Sequence, residues 1–145
     1  MAGSIIANYK AALLTQLQAN ATISAVQCTY ADPGGSQRRE AIFLGDIETD
    51  DHVPEALAPG RRRRIEDFVC ELFVEVSSKP TAPTAAASAV ELANAGETVL
   101  ADDPQLDNLS GLMFTAVRSL SMTTVEADQT VVTIRMLLEA KARLQ

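Results

Sequence analysis

The chain contains a single histidine, His52, and it stands in an acidic setting, Asp50-Asp51-His52. Such a group could serve as a general base or a metal ligand. A metal site needs three or four converging ligands, and the sequence offers no second histidine and no cysteine nearby. Nucleophilic catalysis needs a base held beside a nucleophile, and nothing here nominates one, so His52 is read as a solvated loop residue. Asp102, Asp103 and Asp107 have the chemistry of a calcium loop but lack its central glycine and terminal bidentate glutamate. Helix capping and a polar turn account for them. Glu71 and Glu75, two apart on one strand face, could do acid–base work, but they better mark a side that meets water or a subunit boundary. No catalytic residue, cofactor or metal is expected.

The strongest local charge signal is Arg61-Arg62-Arg63-Arg64. Its functional reading is a contact with phosphate or an acidic partner, and its plainer reading is a solvated strand entrance. In an extended run only two of the four arginines share a surface. The acids immediately upstream (Glu48, Asp50, Asp51 and Glu55) are the nearest candidate partners, within the same chain or across a boundary between copies. Asp50, Asp51, Glu55, Arg61, Arg62, Arg63 and Arg64 are therefore the expected interface residues.

The elements that must hold these groups follow from periodicity. Ile5, Ile6, Tyr9, Leu13, Leu14 and Leu17 recur at helical spacing and predict a helix over Ser4–Ala19, with Ser4 as its N-cap. Ala25–Tyr30 reads as a short strand, Asp32-Pro33-Gly34-Gly35 as a turn, and Glu40–Ile47 as a second strand. Glu48–Gly60, with four acids, two prolines and a glycine, reads as a long mobile loop, a kind of connection that is usually functional. From Arg64 to Ser78, Phe68, Cys70, Leu72, Val74 and Val76 alternate with Val69, Glu71, Phe73 and Glu75 as in a half-buried strand. A helix from Pro83 or Thr84 to Leu100 presents a small inward stripe, Ala86, Ala89, Val90, Ala93, Gly96 and Val99 or Leu100. Two β-branched runs close the chain, Gly111–Ala127 and Gln129–Leu138. In the first, Leu112, Phe114, Ala116, Leu120 and Met122 are expected on one face; in the second, Val132, Ile134, Met136 and Leu138. The order α-β-β-β-α-β-β describes an α+β fold: a mixed, largely antiparallel sheet of about five strands with two helices packed on it.

At 145 residues the chain fits one domain, 1–145, able to bury a core without disulfide staples. A net charge of −7 argues against free nucleic-acid binding, which needs a basic surface. Cys28 and Cys70 fall within apparent strands and read as buried free thiols in a reducing cytoplasm. No run approaches the roughly 18–20 apolar residues of a membrane span, and residues 1–30 hold one basic residue, Lys10, with no compact apolar block, so neither a membrane anchor nor a signal peptide is expected.

In this order, and in particular through Arg39-Glu40-Ala41-Ile42-Phe43-Leu44-Gly45, the long strand Arg64–Ser78, the Ala-rich helix ending in Asp102-Asp103-Pro104, and the paired terminal strands reaching Arg135-Met136-Leu137-Leu138-Glu139-Ala140-Lys141, the chain resembles the tail terminator proteins of long-tailed bacteriophages, especially those infecting actinobacteria. The resemblance is one of overall pattern and spans most of the chain. It implies a non-enzymatic virion protein, assembled in the host cytoplasm, that closes into a ring of six on the finished tail tube. Such a ring stops tube polymerisation and offers its other face to the head-side connector or stopper protein. Its partners would be copies of itself, the major tail tube protein and that connector, while DNA passes through its lumen without specific binding. Two other readings stand beside it: a head–tail neck adaptor of similar fold, and a small hot-dog-like enzyme. The hot-dog fold, however, wants its main helix early and central.

Overall fold

The computed structural model describes residues 4–34, 39–54, 64–77, 81–126 and 130–144. The element order is α1 (Ile6–Ala19), a 3-10 turn (Ile23–Ala25), β1 (Gln27–Thr29), β2 (Glu40–Pro54), β3 (Arg64–Val76), α2 (Ala82–Asp102), β4 (Leu112–Glu126) and β5 (Thr130–Leu144). The strands form one sheet in the order β1-β2-β3-β5-β4. β1 runs parallel to β2, and every other pairing is antiparallel. This is the expected α+β architecture, with both helices on one side of the sheet.

The covered face is apolar because alternation places it so. Phe68, Cys70, Leu72, Val74 and Val76 on β3 are buried, as are Val132, Ile134, Met136 and Leu138 on β5, and Ala140 and Ala142 continue the row. From α1, Tyr9, Leu13 and Leu17, spaced by four, supply its buried stripe. α2 begins at Thr81, whose side chain accepts from the Thr84 backbone N–H at 3.4 Å, and Pro83 falls in the first turn, where a missing donor costs little. Its buried residues are Ala85, Ala89, Leu92, Ala93, Gly96 and Leu100, so small side chains let its axis lie close to the sheet. Val90, expected inward, is 40% exposed: Leu92 and Ala85 define a stripe rotated slightly from the one expected.

Several boundaries differ from the sequence reading, each for a physical reason. Ser4 is not the N-cap of α1, which is Ile5. The Ser4 hydroxyl nevertheless accepts from the Ile6 N–H at 3.2 Å and donates to Glu66 at 3.0 Å. Glu66 itself is 1% exposed and also accepts from the Ile5 N–H at 3.3 Å, a carboxylate at the positive end of a helix. The first part of the loop expected over 48–60 is strand: β2 continues to Pro54 and pairs Glu48 with Val69, His52 with Glu66 and Pro54 with Arg64. This part of β2 resembles a loop because Glu48-Thr49-Asp50-Asp51-His52 holds no apolar residue to show the alternation of a strand. Residues 55–60 lie outside the described residues. β5 likewise runs six residues past the expected Leu138, to Leu144, pairing throughout with β3.

The faces of β4 are a further correction. Its pairing with β5 slips by one residue between Leu112 and Phe114 and again between Val117 and Ser119. Each bulge adds a residue and flips the alternation. Leu112, Thr115, Val117, Leu120 and Met122 therefore share the helix side, whereas Phe114 and Ala116 turn to the other. The link from α2 into β4 passes through three successive left-handed residues, Leu106 (φ 48°), Asp107 (φ 58°) and Asn108 (φ 59°). Each such conformation costs about 1–3 kcal/mol. The turn is held by the buried Leu106 side chain and by Asp103 Oδ2, which accepts from the Asp107 N–H at 2.7 Å.

Candidate interaction surface

The face of the sheet turned away from the helices gathers most of the charged residues of the strands, Glu66 beneath α1 being an exception. Glu71 and Arg135 meet diagonally across β3 and β5, Arg135 being level with Phe73, with Arg135 Nε 2.6 Å from Glu71 Oε2. Exposure of about half the Arg135 side chain keeps such a pair weak. One step along, Phe43 and Phe73 stack with ring centroids 5.2 Å apart at 20°. The Phe73 ring lies over Gly45, where an added Cβ would sit 2.7 Å from Phe73 Cε2 and 2.9 Å from Glu71 Cβ. Gly45 is thus required by close approach, and it falls within the bulge between Leu44 and Ile47.

Two open depressions flank this stack. The larger, about 550 Å³, is lined by Lys10, Asp32, Phe43, Gly45, Asp46, Glu71, Phe73, Glu75 and Thr133 among others. The smaller, about 210 Å³, draws Asp46 and Glu48 from β2, Val69 and Glu71 from β3, Arg135 and Leu137 from β5, and Arg118 from the β4 bulge. A single depression lined from all four long strands means that this face is concave. Its acids come from β2 and β3 and its cations from β5 and β4, and among the described residues lining it no nucleophile stands beside a base. Among the described residues, no three His, Cys, Asp or Glu side chains converge as metal ligands would.

On the covered side, polar groups serve the fold. Thr115 Oγ1 donates to the Glu139 carbonyl at 2.8 Å, so Tyr9, 2.7 Å from the same oxygen, is the donor to Thr115. Tyr9 also meets Phe68 edge-on at 4.9 Å, and burial raises its pKa well above the usual phenol value. Burial pushes the Cys70 thiol up to about 12 and the Cys28 thiol up to about 11, so neither is a poised nucleophile.

The residues expected to form the interface fall at the distal end of β2 and its connection to β3. Asp50 occupies the register shift between Thr49 and Asp51, Asp51 pairs with Asp67, and Arg64 opens β3 opposite Pro54 and Leu144. The side chains of Asp50, Asp51 and Arg64, and the whole of Glu55, Arg61, Arg62 and Arg63, lie outside the described residues. Sequence reasoning missed Arg118, because only a bulge turns it to the concave face. It also missed Glu66, although an acid in step with Phe68 and Cys70 was a visible signal of a buried carboxylate. Glu71 and Glu75 do share the uncovered face, as expected.

No helix among the described residues is long and apolar enough to cross a membrane. No protein-family model matches the chain, and no curated protein does. Among solved structures, a chain of the "Virion of native gene transfer agent (GTA) particle" has the same fold, with a TM-score of 0.60 over 98% of this chain and 99% of that one. At 19% identity the likeness is one of fold.

Proposed function

We propose that this chain is a tail terminator of a phage-like particle. It forms a ring, of six copies by family resemblance, on the end of the tail tube, halts tube growth and provides the seat for head–tail joining. The observation that carries the reading is the end-to-end fold likeness to a chain of a virion, which leaves almost nothing of either chain unmatched. The concave, charged sheet face and the long outer strands support it, because a protein that works by contact must keep surface free of its own core. The net charge of −7 repels free copies and delays closure until a tube end is present. The role is structural and without covalent chemistry. Its partners are further copies, the tube protein and the head-side connector, with DNA passing through the ring and the protein residing in the virion after assembly in the host cytoplasm.

The test is electron microscopy of tails from particles lacking this chain. Overlong or ragged tubes are the expected result. Tails of normal length that fail to join heads would make it a neck adaptor instead. Within the terminator reading, Asp50, Asp51 and Glu55 changed together to Ala leave the monomer folded and alter assembly onto purified tubes. Reversal of Arg62 and Arg64 to Glu weakens assembly if these residues pair between copies.

A further inference from the structure

The sheet has two open edges, each closed off at one end only. On β2, the short parallel strand β1 covers Ala41–Phe43. Among the described residues, no strand pairs with the outer side of β2 from Leu44 to Pro54. On β4, the α2–β4 link reaches the edge at Thr115, whose N–H donates to the Pro104 carbonyl at 2.8 Å. From Ala116 to Glu126 the outer side of β4 has no strand beside it among the described residues. The two open stretches are equal in length and lie at diagonally opposite corners of the sheet, because Thr124 is level with Val132 and Val76 whereas Pro54 is level with Arg64 and Leu144.

The β4 stretch is not guarded in the usual way. Exposed edges are normally blunted by charge, proline or brevity, yet Ser119–Val125 carries no charged residue and exposes Leu120 (48%), Met122 (49%) and Val125 (53%). The β2 stretch carries Asp46, Glu48, Asp50 and Asp51, so it cannot pair with a second copy of itself without stacking like charges. It can pair with β4, whose open stretch has one acid, Glu126, at its far end.

We infer that the open edge of β4 in one copy pairs antiparallel with the open edge of β2 in the next. This inference rests on the ring reading above and names its interface. One contact of this kind closes both edges of every copy, whereas a two-fold β4–β4 joint leaves each β2 edge bare. It brings Ile47 and Thr49 beside Leu120, Met122 and Thr124 on the helix-bearing face. Full overlap slides each copy along the strands by about six residues, about 20 Å, and such a stagger tilts the strands as closed sheets require.

The decisive experiment uses the full chain carrying Thr49→Cys and Thr124→Cys, treated with a short bismaleimide at high concentration and on purified tail tubes. A ladder of covalent oligomers from the double variant, with monomer from each single variant, is the expected result. Dimers from Thr124→Cys alone would overturn the inference in favour of a two-fold joint. Absence of a ladder, with or without visible rings, would overturn it as well. Rings that form without cross-links leave the ring reading intact. A ladder from a chain whose loss leaves tails normal overturns the terminator reading and keeps the interface. Charge sign supplies a second readout: Thr123→Asp, set on the uncovered face against Asp46 and Glu48 of the neighbouring β2, weakens association at least about threefold more than Thr123→Lys. Equal effects of the two would also overturn the inference.

Discussion

The two faces of this sheet are made from the same strands, often from neighbouring residues, yet they answer to different demands. On β3, Leu72 and Val74 are fully buried beneath the helices, while Glu71 and Phe73 on the other side meet a charged hollow. The difference teaches that the fold is stabilised almost wholly from one side, which leaves the other free of the core's demands. Substitutions should separate the faces cleanly.

The largest effect is expected on the covered side. Met136→Ala removes a fully buried side chain from the centre of β5 and should cost about 2–5 kcal/mol, read as a shift in the denaturant midpoint. Gly45→Ala tests whether the open side has any packing of its own. The new methyl meets the Phe73 ring and Glu71 at under 3.0 Å, so a loss of about 1–3 kcal/mol is expected by overpacking. A loss near zero would show that the Phe43–Phe73 stack is dispensable.

Alkaline pH should weaken the covered side. Cys28 and Cys70 have their pKa values raised by burial from 9.0, to about 11 and about 12. Their protonated forms therefore favour the folded state. That contribution is fully present below about pH 9 and is lost as pH rises through 11 and 12. Denaturant midpoints measured between pH 8 and 11 should fall in step, and both thiols should resist alkylation in the folded chain at pH 8.

The same glycine-to-alanine change should reverse sign on α2. At Gly96 an added Cβ finds Leu72 Cδ2 at 3.5 Å, an ordinary contact. Gly96→Ala should thus stabilise by about 0.5–1 kcal/mol through helix propensity. The smallest effect is expected at Arg135→Ala, where breaking the exposed pair with Glu71 should change stability by less than about 1 kcal/mol. A larger loss would mean that the charged face helps to hold the monomer together.

Much of this architecture was legible in the residues. Strict alternation on β3 and β5 and the four-residue spacing of Tyr9, Leu13 and Leu17 identify the covered face without ambiguity, because burial there is complete. Legibility failed where large apolar side chains give out. The distal end of β2 runs through Glu48-Thr49-Asp50-Asp51-His52 and resembles a loop, and β5 beyond Leu138 alternates alanines with charges and resembles an ending. Bulges cannot be read from alternation at all, so plain alternation puts Phe114 and Ala116 on the wrong face and hides Arg118. The expected interface acids and arginines cluster in sequence around the β2–β3 connection, but proximity in sequence says nothing about which neighbour each side chain meets.

The sheet holds four long strands, β2, β3, β5 and β4, of alternating direction. An even number means that its two outermost long strands run opposite ways. Identical copies set side by side in one orientation can then continue the alternation indefinitely, whereas an odd number would force a like-directed seam at every junction. Parity of the strand count thus makes this monomer a tile that repeats without a mismatch.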